Sequence, residues 1–230
     1  MKELLYDSVF FGAFLSIALY EAGVWLKKRW KLAVLNPLLL SVLAVMGILT
    51  ALDLDYEVYH EGARYLSYLL TPATICLAVP LYEKIGLLKQ YAGAIFGGLL
   101  AGVLTSLLSV LACAAVFHFN HEQYVTLLPK SITTAIGMGI SEELGGMVTI
   151  TVAVIIITGV LGNIIAEAVL KLFRIQEPIA KGIAVGSASH AIGTVKAMEM
   201  GEIEGAMSSL SIAVAGLLTV IGASVFANFL

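Results

Sequence analysis

Charge is scarce in this sequence: Asp, Glu, Lys and Arg together make up 13% of its 230 residues, against 60% hydrophobic residues. A chain with a mean hydropathy of +0.97 would aggregate as a water-soluble domain, so lipid must solvate most of it. Cysteine is nearly absent as well. Cys76 and Cys113 both fall inside apolar stretches and read as buried structural thiols rather than a disulfide or a metal site. No G-x-S-x-G elbow, H-E-x-x-H pair or phosphate-binding glycine loop is found, and no second His stands at metal-ligand spacing from His190. Those absences argue against an enzyme, a zinc site or a bound cofactor. The formal net charge of -3 gives no support to nucleic-acid binding.

What the sequence has in abundance is long apolar runs. Crossing the ~30 Å hydrocarbon core takes about 20 helical residues. Ser8 to Leu26, Leu32 to Leu52, Tyr91 to Phe117, Met147 to Ile165 and Gly205 to Leu230 meet that length, and only Glu21 interrupts them with a charge. The expected fold is therefore an all-α, polytopic transmembrane bundle forming a single integral membrane domain. Met1 to Leu5 carries Lys2 and Glu3 and no A-x-A-like site follows, so the first helix is expected to stay in the mature protein.

Nine of the thirteen Lys and Arg lie in three short loops: Lys27, Lys28, Arg29 and Lys31; Lys84 and Lys89; Lys171, Arg174 and Lys181. The positive-inside rule puts all three in the cytoplasm, with His118 to Glu122 opposite. Parity then fails if Gln123 to Gly146 crosses the membrane, because the third basic loop would end outside. A re-entrant or broken element over Gln123 to Gly146 restores it, and Pro129, Ser131, Thr133, Thr134, Gly137 and Gly139 suit such a segment. Leu66 to Tyr82, with Thr71, Pro72 and Pro80, and Gly182 to Lys196 look interrupted in the same way. Matching Gly98-Leu99-Leu100 to Gly216-Leu217-Leu218 also suggests repeat halves over residues 1–117 and 118–230.

An ionisable residue at membrane depth costs roughly 2.5 to 3.5 kcal/mol and needs a reason. Lys130 follows Pro129 and precedes Ser131, Thr133 and Thr134, which can cap a half-helix whose amides point into the break. A cation beside a helix start is relieved by a bound anion, and the group reads as a carboxylate site. The competing reading is a snorkelling lysine with hydroxyls serving local backbone. His190, with Ser187, Ser189 and Thr194 around it, is the second candidate, as a polar site or as a satisfied interior histidine. Glu21 and Glu167 pair with nearby lysines in the plainest reading, and Asn163 serves an inter-helical hydrogen bond. Gly93, Gly97, Gly98 and Gly102 permit close helix packing within the chain or in a homo-oligomer.

Three stretches, Leu69 to Tyr82, Leu127 to Ser141 and Ser189 to Leu210, resemble the signature segments of the LrgB/CidB family, and the likeness runs over nearly the whole chain. The sequence departs from the family pattern at Ala135, where a second proline often follows Thr-Thr. The resemblance implies a multi-pass protein of the bacterial inner membrane and two functional pictures. One, from a plastid glycolate/glycerate translocator and bacterial members linked to pyruvate uptake, is a carrier of small monocarboxylates. The other is an antiholin-like regulator of murein hydrolase export and cell lysis. It also implies a small LrgA-type membrane partner. The lysine beside a broken helix favours the carrier, with Thr71, Pro72, Lys130, Ser131, Thr133, Thr134, Ser187, Ser189, His190 and Thr194 as the expected substrate-binding residues.

The topology has a direct check. In intact cells a membrane-impermeant thiol reagent should label a cysteine placed at Asn120 and spare one placed at Phe173, beside Arg174. Equal labelling at both positions would break the parity argument.

Overall fold

The computed structural model describes residues 10–30 and 35–230, which contain helices and no strands. The expectations resting on Met1 to Leu5, Lys31 and the starts of the Ser8 to Leu26 and Leu32 to Leu52 runs lie outside the described residues. Two compact units result, one up to Cys76 and one from Leu77 onward.

The first unit contains α1 (Phe11–Trp30), α2 (Pro37–Ala51), α3 (Tyr56–Ser67) and the start of α4 (Leu70–Glu83). Helix α2 starts where it does because the Asn36 side chain accepts from the amides of Leu38 (2.9 Å) and Leu39 (3.2 Å) while Pro37 fills the first helical position. Its 15 residues span about 22 Å, less than the hydrocarbon core. Helices α1 and α3 touch backbone to backbone: a Cβ at Gly62 would stand 2.6 Å from the Gly12 amide nitrogen. Beside them Ser16 Oγ and Tyr59 Oη lie 2.8 Å apart. The interruption expected at Thr71-Pro72 is displaced. The chain turns at Tyr68–Leu69, and Pro72 sits in the first turn of α4, where a missing N–H costs no helical hydrogen bond.

The second unit continues with α5 (Ile85–Gln90), α6 (Ala92–Phe117), α7 (His121–Leu127), α8 (Thr134–Glu143), α9 (Val148–Leu172), α10 (Pro178–Met200) and α11 (Glu202–Phe226), closed by a 3₁₀ turn at Ala227–Phe229. Four helical stretches among the described residues are long and apolar enough to cross a membrane: Tyr56–Glu83, Ala92–Phe117, Val148–Leu172 and Glu202–Phe229. Helices α6, α9 and α11 turn large apolar side chains outward, among them Phe96, Leu104, Ile157, Leu161, Leu217 and Ile221. In water such a surface would be untenable; in lipid it is the ordinary exterior. Both cysteines are free but exposed, rather than buried, because hydrocarbon solvates a thiol as it does other weakly polar groups.

Helix α11 gives the unit two ends. At its start Lys84 bonds Glu202 (3.0 Å) and Lys181 approaches Glu204 (3.9 Å), so the second and third basic loops share one end. At its finish Tyr124 Oη donates to the Phe226 carbonyl (3.0 Å), and His121 Nδ1 lies 2.7 Å from the Leu230 carbonyl.

Between these ends the chain makes two helical hairpins. The first begins at α7, whose Asn120 and Gln123 exchange side-chain and backbone bonds in a capping box. Pro129 ends that helix, α8 runs back, and Gly145 at φ +80° closes it. The Met147 amide then bonds Thr126 Oγ1 (2.8 Å), so the chain has returned to the level of α7 before α9 sets out. Gln123 to Gly146 thus enters and leaves at the same end, the arrangement that parity demanded.

The second hairpin lies within α10, which breaks at His190 (φ 43°, ψ -140°). Its first limb runs alongside α11: Gly182 lies against Glu204 and Met207, and Gly186 against Ser208 and Ser211. After the break Thr194 Oγ1 meets Ser208 Oγ at 2.8 Å, and Met198 packs on Gly205, so the second limb runs back past the same helix. Val185 and Ala197, one on each limb, share a buried cluster. The limbs approach α11 this closely because the contact positions are glycine. A Cβ on Gly186 would lie 2.6 Å from both the Ser208 carbonyl oxygen and the Ser211 Cβ.

Gly186→Ala should therefore destabilise the protein by about 1 to 3 kcal/mol through overpacking. Gly97→Ala, where a new methyl meets nothing within 4 Å, should leave stability unchanged or raise it slightly. Thermal unfolding of both variants in mild detergent checks the contrast, and equal midpoints would contradict the close packing.

Candidate functional site

The two hairpins come from opposite ends of the second unit, and their tips meet on α6. Gly102 faces Ser187 of the α10 hairpin, and a Cβ there would lie 2.9 Å from Ser187 Oγ. Four residues later, about 6 Å along the axis, Ser106 receives the tip of the α7–α8 hairpin. Ile155 of α9 joins them from another side: its carbonyl oxygen lies 3.0 Å from His190 Nε2, and its side chain packs on Gly137 of α8. The Lys130 and His190 breaks thus share one region. Thr71 and Pro72 belong to the first unit, where both are exposed.

At the first tip, Lys130 Nζ donates to Ser106 Oγ (3.3 Å) and Ser131 Oγ (3.1 Å), and the two hydroxyls lie 3.1 Å apart. Among the described residues no carboxylate forms an ion pair with Lys130. Helix α8 starts where the sequence suggests, with Thr133 extended as its N-cap and Thr134 as its first residue. Thr133 makes no side-chain capping bond, however. Ser131 is turned away from the helix start, toward Lys130 and Ser106.

At the second tip, a carbonyl can only accept, so His190 Nε2 carries the proton that Ile155 O receives. Gly159 and Gly162 of α9 make room for it. A Cβ at Gly159 would lie 2.8 Å from the imidazole, and one at Gly162 would overlap Ser189. Ser187 Oγ donates back to the Ile183 carbonyl (2.7 Å), and Thr194 Oγ1 to that of His190 (2.9 Å). Asn163 Nδ2 donates to the Ile192 carbonyl (2.9 Å), the inter-helical bond expected of it. Further out, Glu167 pairs with Lys171 (3.4 Å), as expected, and also with Lys196 (2.6 Å).

Several members of this polar interior escape a reading of the sequence. Ser106 sits in an apolar helix with no local mark beyond its place four residues after Gly102. Thr151 lies within hydrogen-bonding distance of Ser141 Oγ (2.7 Å) and the Thr126 carbonyl (2.9 Å), tying α9 to both limbs of the first hairpin. Ser208 partners Thr194 across the second. No buried side-chain nitrogen or oxygen among the described residues lacks a partner.

These features define an all-α, multi-pass membrane protein in which two opposed helical hairpins bring polar side chains together at depth. The chain belongs to the LrgB-like family, whose profile matches residues 16–229. It is similar to the holin-like protein CidB of Staphylococcus epidermidis, at 35% identity over 89% of this chain and 90% of that protein. Against the CidB of Staphylococcus aureus strain N315 the identity is 36% over the same shares. The antiholin-like protein LrgB of Bacillus cereus is 34% identical over 96% of both chains. No solved structure matches.

These relatives correct one expectation. Chains that align over about nine-tenths of their length or more carry holin-like and antiholin-like names, which overturns the monocarboxylate carrier and its small carboxylate substrate. The physical reason lies at Lys130, whose ammonium is held by two hydroxyls of the protein itself. A lysine beside a broken helix does not by itself imply a bound anion.

The His190 bond has a measurable consequence. His190→Ala removes the buried hydrogen bond that ties the second hairpin to α9 and should cost about 0.5 to 1.5 kcal/mol. Thermal unfolding in detergent should show the loss, with helical content unchanged by circular dichroism. An unaltered midpoint would mean the imidazole does not hold the second hairpin to α9.

Proposed function

We propose that this protein is an antiholin-like, non-enzymatic regulator of murein hydrolase export and cell lysis, seated in the cytoplasmic membrane of a bacterium and working with a small LrgA-type partner. The observation that carries the reading is its alignment, over 96% of both chains, with a protein named antiholin-like LrgB. Four helical stretches among the described residues are able to cross a membrane and support a bilayer location, and the exposed apolar faces of α6, α9 and α11 support lipid as its surroundings. Within this reading the paired tips are the working part: Lys130, Ser131, Thr133 and Thr134 from one hairpin, Ser187, Ser189, His190 and Thr194 from the other. Charged and hydroxyl groups at membrane depth are expensive, and function is the usual reason that a membrane protein carries them.

The names of the staphylococcal relatives favour a second reading, a holin-like role, which promotes lysis instead of restraining it. Controlled overexpression separates the two. With its small partner co-expressed, an antiholin-like protein should slow detergent-induced autolysis and lower extracellular hydrolase activity on murein zymograms. Acceleration would establish the holin-like sense, and no change in either direction would refute both.

Lys130→Ala tests the tips. It should abolish most of the effect on autolysis while membrane abundance stays near wild type, because alanine removes an insertion cost. Lys130→Arg should retain part of the effect, since the charge survives on a bulkier head. Full activity of Lys130→Ala at matched abundance would place the working residues elsewhere.

A further inference from the structure

At the Lys84 end of the second unit, a cleft of about 470 Å³ opens between the close of α9 and the feet of the α10 hairpin. Lys171, Arg174 and Lys181 line it, with Gln176 between them and a single carboxylate, Glu167. That carboxylate is already engaged by Lys196 at 2.6 Å and by Lys171 at 3.4 Å. Lys181 reaches Glu204 only at 3.9 Å, and Arg174 forms no ion pair among the described residues. The cleft therefore carries an excess of positive charge that its own walls do not neutralise.

Its position and backbone add a second, independent observation. Arg174 has φ 56°, a left-handed conformation that glycine or asparagine occupies more readily, and it closes α9 with bonds from its amide to the Lys171 carbonyl (3.1 Å) and from the Ile175 amide to the Leu170 carbonyl (2.9 Å). A long cation thus occupies a turn that disfavours it. Between Lys171 and Arg174 in the sequence, Leu172 and Phe173 are 76% and 70% exposed, two large apolar side chains at the end of the helix that carries the basic lining. A soluble anion has no use for such side chains, whereas an acyl chain lies against them naturally.

From these contacts we infer that the cleft binds the phosphate of an anionic phospholipid headgroup, with Lys171, Arg174 and Lys181 as donors and the chain's Leu172 and Phe173 against the first acyl carbons. Guanidinium and ammonium groups make charge-assisted bonds to phosphate oxygens, and basic pockets between helices at the positively charged face are the usual seats of acidic lipids. The free phosphate group is the same chemistry from another source, and the experiment distinguishes the two.

The full-length protein, purified in a neutral detergent, is titrated with phosphatidylglycerol, with phosphatidylcholine and with sodium phosphate. Thermal midpoint and retained lipid by native mass spectrometry are the readouts. Phosphatidylglycerol should raise the midpoint and stay bound, while the other two do neither. Each surface cation contributes about fivefold to acidic-lipid affinity. Arg174→Gln should therefore weaken the titration about fivefold and Lys171→Gln with Arg174→Gln roughly twenty-fivefold, whereas Arg174→Lys keeps most of it. If the double variant fails to accumulate, Arg174→Gln against Arg174→Lys decides. Equal stabilisation by phosphatidylcholine, or an unchanged titration in Arg174→Gln, would overturn the site. Displacement of phosphatidylglycerol by millimolar sodium phosphate would overturn the lipid and leave a soluble anion.

Discussion

Backbone amides and carbonyls cannot be left bare in hydrocarbon, and that constraint governs the second unit. A hairpin that stops halfway across the bilayer frees such groups at its tip. It survives only if other parts of the protein wall it in. Helices α6, α9 and α11 supply the walls, and small residues on each let the tips come close: Gly102 and Ser106 on α6, Gly159 and Gly162 on α9, Gly205 and Ser208 on α11. The polar interior follows from the same requirement. Side chains such as Asn163, His190 and Thr194 meet the carbonyls that the breaks leave behind or lie beside.

The two tips solve the problem by different means. At the Lys130 tip a proline ends one helix and short turns carry the chain to the next, with a Lys–Ser–Ser cluster anchoring the loop to α6. At the His190 tip no proline is present; a single residue with positive φ reverses the chain, and its own side chain ties the reversal to α9. The cost of that conformation, on the order of 1 to 3 kcal/mol, persists because the imidazole bond and the flanking glycines determine it.

Much of this was legible in the sequence. Charge counting alone required Gln123 to Gly146 to return to its starting side, since the lysines and arginines of three loops fix the parity. The composition of the Gly182 to Lys196 stretch marked it as interrupted. The identity of the breaking residue was not legible, because an unusual φ at a histidine is imposed by tertiary contacts rather than by local preference. The placement of Thr71-Pro72 failed for a simpler reason: a proline fits the first turn of a helix as well as it fits a break. Ser106 and Thr151 were invisible because a hydroxyl in an apolar helix commonly bonds to its own backbone. At Lys130 the sequence located the charge but not what satisfies it, and the inference of a substrate failed at that step.

The order in which α10 and α11 occur along the chain has a consequence for biogenesis. Both limbs of the α10 hairpin seal against α11, yet during synthesis the hairpin leaves the ribosome before the helix that covers it. Until α11 is inserted, Ser187, Ser189, His190 and Thr194 have no complete protein wall, and the segment is too polar to settle in lipid alone. The hairpin must therefore wait at the translocon or at the membrane surface and be drawn to depth by α11, which makes insertion of the second unit cooperative at its final step.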